Sequence, residues 1–182
     1  MSGPIPHCLG RLANLTQLDI SLNDGMSGPI PDSFANLTDL HVLQLPANKL
    51  HGQIPDSLHQ MPSLQWFNVE SNQISGSIPA SLASIPNLTV IIMDNNELSG
   101  SIPDSFGSFQ NPITLDLHAN RLSGPIPSSL GRVNAYLMDF SGNDLVGDPS
   151  FLFGKNKRFA LTMNLSNNRF ESISQRWSCL QG

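Results

Sequence analysis

The sequence is poor in charge, poor in cysteine and free of long apolar runs, and each shortage removes a class of function. Only 13% of the 182 residues are charged, and 9 Lys and Arg against 14 Asp and Glu leave a net charge of -5. A nucleic-acid binder needs a basic stripe to neutralise phosphates, so this composition argues against one. No stretch reaches the ~18 consecutive apolar residues that a transmembrane helix requires. Met1 runs directly into Ser2-Gly3-Pro4-Ile5-Pro6, without the basic and apolar regions of a secretory signal. The two cysteines, Cys8 and Cys179, sit at opposite ends and offer no metal-ligand spacing. Gly and Pro, at 14 each, fall well short of a collagen-like or disordered composition. The chain is long enough to bury a core.

What the sequence does have is a period near 24 residues. Ser2-Gly3-Pro4-Ile5-Pro6 recurs at 27–31 and 123–127, with variants His51–Pro55, Ser75–Pro79 and Ser99–Pro103. A second marker, L-x-L-x-x-N, keeps step with it at Leu18–Asn23, Leu43–Asn48, Phe67–Asn72, Ile91–Asn96, Leu115–Asn120, Met138–Asn143 and Met163–Asn168. Successive asparagines lie 25, 24, 24, 24, 23 and 25 residues apart, which chance does not produce. The regular array occupies 1–170 and leaves 171–182 as an irregular tail.

Each coil has a physical reading. L-x-L alternates with period two, so it predicts a short strand with its apolar residues inward. Strands of successive coils then stack in parallel at about 4.8 Å. The following asparagine turns the chain inward, and its amide can satisfy backbone groups that the bend leaves unpaired. Asn23, Asn48, Asn72, Asn96, Asn120, Asn143 and Asn168 are therefore expected to form a buried ladder. In L-x-G-x-I-P, Gly allows a bend and Pro stops ladder pairing. The pairs Asp32-Ser33, Asp56-Ser57 and Asp104-Ser105 suit the N-cap of a short helical turn. Two irregularities interrupt the pattern: one residue is missing in Val133–Met138, and Val146–Gly154 breaks the Gly-x-Ile-Pro rule.

The consensus L-x-x-L-x-x-L-x-L-x-x-N-x-L-x-G-x-I-P resembles the plant-specific class of leucine-rich repeats, found in receptor kinase ectodomains and secreted inhibitors. Within it, Asn95–Phe109 and the irregular Asp139–Gly154 resemble the polygalacturonase-inhibiting proteins, which share the shortened coil and the Gly-Asp-x-Ser-x-Leu-Phe-Gly break. Plant antifreeze proteins of the leucine-rich repeat type look similar at the same place. The resemblance implies a right-handed α/β-type solenoid of about seven coils, with parallel strands on the concave face and short 3-10 or helical turns on the convex face. It also implies a signal peptide, cysteine-rich caps and a longer array, so the expectation is a fragment, a truncated gene model or a degenerate copy. Cys8 and Cys179 would not replace such caps by pairing, since six coil steps separate them by roughly 30 Å.

Four sequons begin at Asn14, Asn36, Asn87 and Asn164. Glycosylation is expected at Asn14, Asn36 and Asn87 of a secreted, cell-wall protein. A glycan at Asn164 would crowd the concave face.

The outward strand positions form three columns: Gln17, Val42, Trp66, Val90, Thr114, Leu137, Thr162; then Asp19, Gln44, Asn68, Ile92, Asp116, Asp139, Asn164; then Ser21, Pro46, Glu70, Asp94, His118, Ser141, Ser166. They contain acids and apolar residues but no Lys or Arg. An enzyme that cleaves polygalacturonate presents a basic cleft, which such a face would attract and occlude. Trp66, beside Val42 and Val90, is the expected anchor. The expected partner-binding set is Val42, Gln44, Trp66, Asn68, Glu70, Val90, Ile92, Asp94, Thr114, Asp116, His118 and Asp139. His118 lies near Asp94 and Asp116, yet no nucleophile, metal cluster or phosphate loop converges there, and an open sheet excludes little water. The reading is non-catalytic, with no catalytic residue, metal or cofactor. Its leading target is a fungal polygalacturonase, with pectin as a further ligand. The alternatives are a receptor-like ectodomain fragment recognising a peptide or co-receptor, and ice binding. Ice binding ranks last because the columns mix Trp, Pro, Glu and His.

Overall fold

The computed structural model describes residues 1–153 and 160–171; Cys179 and the tail from 172 onward lie outside the described residues. Cys8 is exposed and carries a free thiol. The described residues wind as a leucine-rich repeat solenoid of seven coils, each giving one strand to each of two seven-stranded parallel sheets. Among the described residues no helix is long and apolar enough to cross a membrane.

The main sheet is built from the L-x-L segments, as Gln17–Asp19, Val42–Gln44, Trp66–Asn68, Val90–Ile92, Ile113–Asp116, Ala135–Asp139 and Ala160–Asn164. Alternation sends Leu43, Phe67, Ile91, Leu115 and Met138 inward to full burial. Their neighbours stay in register from coil to coil, with Gln17, Val42, Trp66, Val90, Thr114, Leu137 and Thr162 side by side. The shortened coil disturbs this register once. Ile113 pairs with Ala135 but Thr114 with Leu137, so Tyr136 bulges out unpaired and half exposed.

The asparagine ladder is present, buried at Asn48, Asn96, Asn120 and Asn143 but only half-buried at Asn23, Asn72 and Asn168. Asn96 Nδ2 donates to the carbonyls of Val69, Met93 and Asp94 at 2.9–3.2 Å, and its Oδ1 accepts from Ile74 N at 2.9 Å. The same set recurs at Asn72, Asn120, Asn143 and Asn168, and at Asn48 with Asn23 N as the donor to its Oδ1. Just before each asparagine the backbone is left-handed, at Leu22, Ala47, Ser71, Asn95, Ala119 and Asn167 with φ of 52 to 56°. Such a conformation costs a non-glycine residue roughly 1–2 kcal/mol. The ladder's hydrogen bonds offset that cost in these six coils; before Asn143, Gly142 takes the bend at φ 65° without it.

Two expectations require correction. The Ser-Gly segments do more than bend: they form a second parallel sheet, running through Ser2–Pro4, Gly25–Gly28, Lys49–Gly52, Gln73–Gly76, Glu97–Gly100, Arg121–Pro125 and Asp144–Val146. Glycine permits this, since Gly76 holds φ at +82° and a Cβ there would meet the Gln53 side chain at 2.9 Å. The Pro of each Ile-Pro lies beyond the pairing and starts the next turn.

Nor do the Asp-Ser pairs cap helices. Each of the 3-10 turns Asp32–Asn36, Asp56–Gln60 and Asp104–Ser108 has the preceding proline as its N-cap, with no side-chain cap bond. Proline's fixed φ sets the entry geometry and leaves Asp as the first residue of the turn. The serines stitch neighbouring coils instead. Ser105 Oγ donates to Ala80 O at 2.8 Å and Ser129 Oγ to Asp104 O at 2.9 Å. Phe34, Leu58 and Phe106 from these turns, with Leu82 and Leu130 from the corresponding turns Ala80–Ser84 and Ser128–Arg132, close the core behind the main sheet.

Candidate partner-binding surface

The outward columns of the main sheet come together as the sequence places them. The first two are fixed by strand register. The third follows from ladder bonds such as Ala47 N to Glu70 O, Ser71 N to Asp94 O and Asn95 N to His118 O, each at 3.0 Å. Trp66 sits between Val42 and Val90 and is 36% exposed, the most open member of an apolar strip. Gln44, Glu70, Ile92, Thr114, Asp116, His118 and Asp139 are all half-buried around it. Asn68 and Asp94 occupy outward positions but are recessed, at 6% and 5% exposure.

The second column has a local role that the spacing signals. Its Asp or Asn accepts the backbone N–H two residues on, closing the strand with an Asx turn. The bonds run from Ser21 N to Asp19, Glu70 N to Asn68, His118 N to Asp116, Ser141 N to Asp139 and Ser166 N to Asn164, at 2.9–3.2 Å. Gln44 forms none, because Pro46 has no N–H to give. The recurrent D/N-x-S of Asp19-Ile20-Ser21, Asp139-Phe140-Ser141 and Asn164-Leu165-Ser166 is the sequence signal for this arrangement. At Asp19 the Ser21 hydroxyl and then its backbone N–H stabilise the carboxylate and lower its pKa.

The densest electrostatic feature spans two coils. His118 Nδ1 lies 2.7 Å from Asp116 Oδ1, and its Nε2 lies 3.7 Å from Asp94 Oδ2. Asn95 bridges them, donating to Asp94 Oδ2 at 2.7 Å and lying 3.3 Å from His118 Nε2. Burial pushes the Asp94 pKa up, partly countered by Asn95. For His118, burial pulls down but is outweighed by the Asp116 hydrogen bond and the charges of Asp116, Asp94 and Asp139, so its pKa is raised. Ligand atoms of Asp94, Asp116 and His118 lie within 4.8 Å of one another. Each is already engaged by a protein partner, so the group reads as a hydrogen-bonded triad, and Asn95 is its unforeseen member. Tyr136 also falls outside the three columns, although it projects from the same sheet.

The three expected glycan sites, Asn14, Asn36 and Asn87, are exposed. Asn164 is half-buried and committed on the outer face, donating to Asp139 Oδ2 at 3.0 Å and Ser141 Oγ at 3.1 Å.

Comparison with curated proteins gives no match. Family models described as Leucine rich repeat match residues 28–74 and, separately, 14–37, 87–109 and 111–133. Among solved structures, a plant ice-binding protein is 36% identical with a TM-score of 0.89, over 93% of this chain and 54% of that one. The plant peptide hormone receptor RGFR1, in complex with RGF2, is 37% identical with a TM-score of 0.86, over 93% of this chain and 27% of that one. A chain of the BIR3–SERK2 complex from Arabidopsis thaliana is 32% identical with a TM-score of 0.66, over 75% of this chain and 72% of that one. The chain thus spans about half of the ice-binding protein and about a quarter of the hormone receptor. Period, two-sheet coil, asparagine ladder and these matches agree: the chain belongs to the leucine-rich repeat family, in its plant type.

Proposed function

We propose that this chain is a non-catalytic binding module that engages a basic protein partner through the outer face of its main sheet. The observation that carries this reading is the make-up of that face. Asp19, Glu70, Asp94, Asp116 and Asp139 are set around the Val42–Trp66–Val90 strip, with no Lys or Arg in the three columns. An acidic field speeds encounter with a cationic surface, and a partly exposed tryptophan supplies the anchor. The partner we favour is a fungal polygalacturonase, as the resemblance of Asp139–Gly154 to its inhibitors implies, with pectin as a secondary ligand. The three exposed sequons fit a secreted, extracellular setting. Likeness to RGFR1 in complex with RGF2 supports a protein or peptide partner more generally, and a peptide or co-receptor would meet the same surface.

The test is inhibition of a panel of fungal endo-polygalacturonases by the purified chain, with Trp66→Ala and Asp116→Asn alongside. Asn keeps the acceptor of the Asx turn while removing the charge. Inhibition weakened by about tenfold or more in Trp66→Ala is the scale of a hot-spot truncation. Undiminished inhibition in both variants would move the site off this face. No inhibition by folded chain would discard the enzyme target and leave a peptide or co-receptor.

The likeness to a plant ice-binding protein favours a second reading, ice binding. The second sheet repeats serine before its glycines, at Ser2, Ser27, Ser75, Ser99 and Ser123, interrupted by His51 and Val146. An ice-recrystallisation assay on the same preparation separates the readings. Activity there that survives Trp66→Ala would favour ice.

A further inference from the structure

We infer that His118 is a pH-sensitive counter-charge built into the main sheet, which pairs with Asp94 as well as Asp116 when protonated and leaves their full negative charge to attract a cationic partner when neutral. The inference rests on the binding surface proposed above and adds its regulation.

The geometry is specific to one ring. With His118 neutral and its proton on Nδ1, that N–H donates to Asp116 Oδ1 at 2.7 Å. Nε2 is then a bare acceptor facing Asn95 Nδ2 at 3.3 Å, with the Asp94 carboxylate just behind at 3.7 Å. A proton arriving at Nε2 removes the acceptor that Asn95 uses and turns the 3.7 Å approach into an ion pair. The charged groups facing the ring come from every neighbouring coil. They are Asp116 on its own strand, Asp94 on the preceding coil with Glu70 beyond it, and Asp139 on the following coil. All are carboxylates. Among the described residues that act on it, the ring is the one group that gains a positive charge by titration, and its pKa is raised by these neighbours, against the opposing effect of burial. Asp94 is nearly solvent-free, so changes in its counter-charge are poorly screened. Protonation halves the net negative charge of the Asp94–Asp116–His118 group and adds Asp94 to Asp116, which the ring already holds.

A hexa-arginine peptide is the probe, because guanidinium stays charged at all relevant pH values. Its affinity is measured by calorimetry from acid to mildly alkaline pH for the full chain, His118→Gln, and the Asp94→Asn/Asp116→Asn double variant. The wild-type chain is expected to bind about fivefold more tightly once the ring is neutral, the scale of one partly screened charge pair. His118→Gln should lose that slope. An unchanged slope in His118→Gln overturns the switch, and leaves the surface reading standing if the double variant weakens binding. Peptide binding that is absent, or indifferent to the double variant, overturns the surface reading and the switch together. A wild-type readout covers misfolding of a variant. Linkage is reciprocal, so bound peptide must lower the midpoint of the His118 imidazole titration followed by NMR. A midpoint that does not move with peptide bound overturns the switch.

Discussion

Asn120 Oδ1 accepts the backbone N–H of Leu98, one full coil earlier, at 2.9 Å. The same amide donates backward to Met93 O at 3.0 Å and within its own coil to Leu117 O and His118 O at 3.2 Å. One side chain thus completes four backbone groups around a buried bend. Removing it strands the Leu98 N–H away from water, at a cost of about 1–3 kcal/mol, while the three carbonyls each lose one donor but keep Asn96 Nδ2, Asn143 Nδ2 and Asn95 N. Asn120→Ala is therefore expected to lower the free energy of unfolding by about 2 kcal/mol in urea titrations. The half-buried Asn23, at the first coil, should cost less when changed to Ala. Equal costs at the two positions would show that water replaces the ladder as readily in the middle as at the start.

Asp139 separates charge from structure. Its Oδ1 accepts Ser141 N at 2.9 Å and the Ser141 hydroxyl at 2.6 Å, while Oδ2 takes Asn164 Nδ2 at 3.0 Å. Asp139→Asn keeps the Oδ1 acceptor for the turn but turns an N–H toward Asn164 Nδ2, and is expected to cost about 0.5–1 kcal/mol, whereas Asp139→Ala should cost about 1–2 kcal/mol. Thermal denaturation of the two variants decides it. If Asn is as harmful as Ala, the carboxylate is needed for folding and its role in partner recognition cannot be probed by substitution.

Much of this was legible because a solenoid converts period into register. Once the asparagine steps are counted, the column Gln17, Val42, Trp66, Val90, Thr114 follows without further information, and the strands obey it. The second sheet was not legible. Its segments mix Gly, Ser and Pro, with no β-branched alternation, and they pair only because glycine reaches positive φ. Tyr136 was hidden for a related reason: a one-residue deletion before the strand is absorbed by a bulge within it. Asn95 lies in the left-handed bend, where sequence alone does not say which neighbouring coil the side chain will meet. The acidic column was read as a binding feature, yet Asp19, Asp116 and Asp139 also close their own turns. Sequence periodicity shows where such residues are, and only coordinates show that they serve both purposes.

The His118 and Asp94 shifts also make stability depend on pH. His118 has a folded pKa above the ordinary 6.5, so its stabilisation is fully present below 6.5 and fades as pH rises through the folded value. Asp94 is raised above 3.8, so ionising it in its recess costs stability as pH rises above that value. Both groups bind more protons folded than unfolded, and both slopes have the same sign. Asp19 has the opposite sign, but it is exposed and screened, and contributes little. The melting temperature of wild type minus that of His118→Gln should therefore be largest in mild acid and shrink toward pH 8. A difference that is flat or grows with pH would contradict the raised histidine.

The sequons give a prediction in which one face is spared. Asn14, Asn36 and Asn87 are exposed on the turns and loops away from the outer columns, and Asn87 makes a single bond, to Pro62 O at 3.1 Å. Asn164 is different, since its Nδ2 holds Asp139 and Ser141 of the preceding coil while its Oδ1 closes the turn at Ser166 N. A glycan on that nitrogen removes one of its hydrogens and places a bulky sugar on the sheet face, so the coil could not stack as it does. Chains expressed through a secretory pathway should carry glycans at Asn14, Asn36 and Asn87 and none at Asn164, as read by glycopeptide mass spectrometry. Asn164→Gln should leave the mass distribution unchanged apart from the substitution itself. Glycan found at Asn164 in folded protein would show that the seventh coil is closed to partners, and would confine the binding surface to the coils around Trp66 and His118.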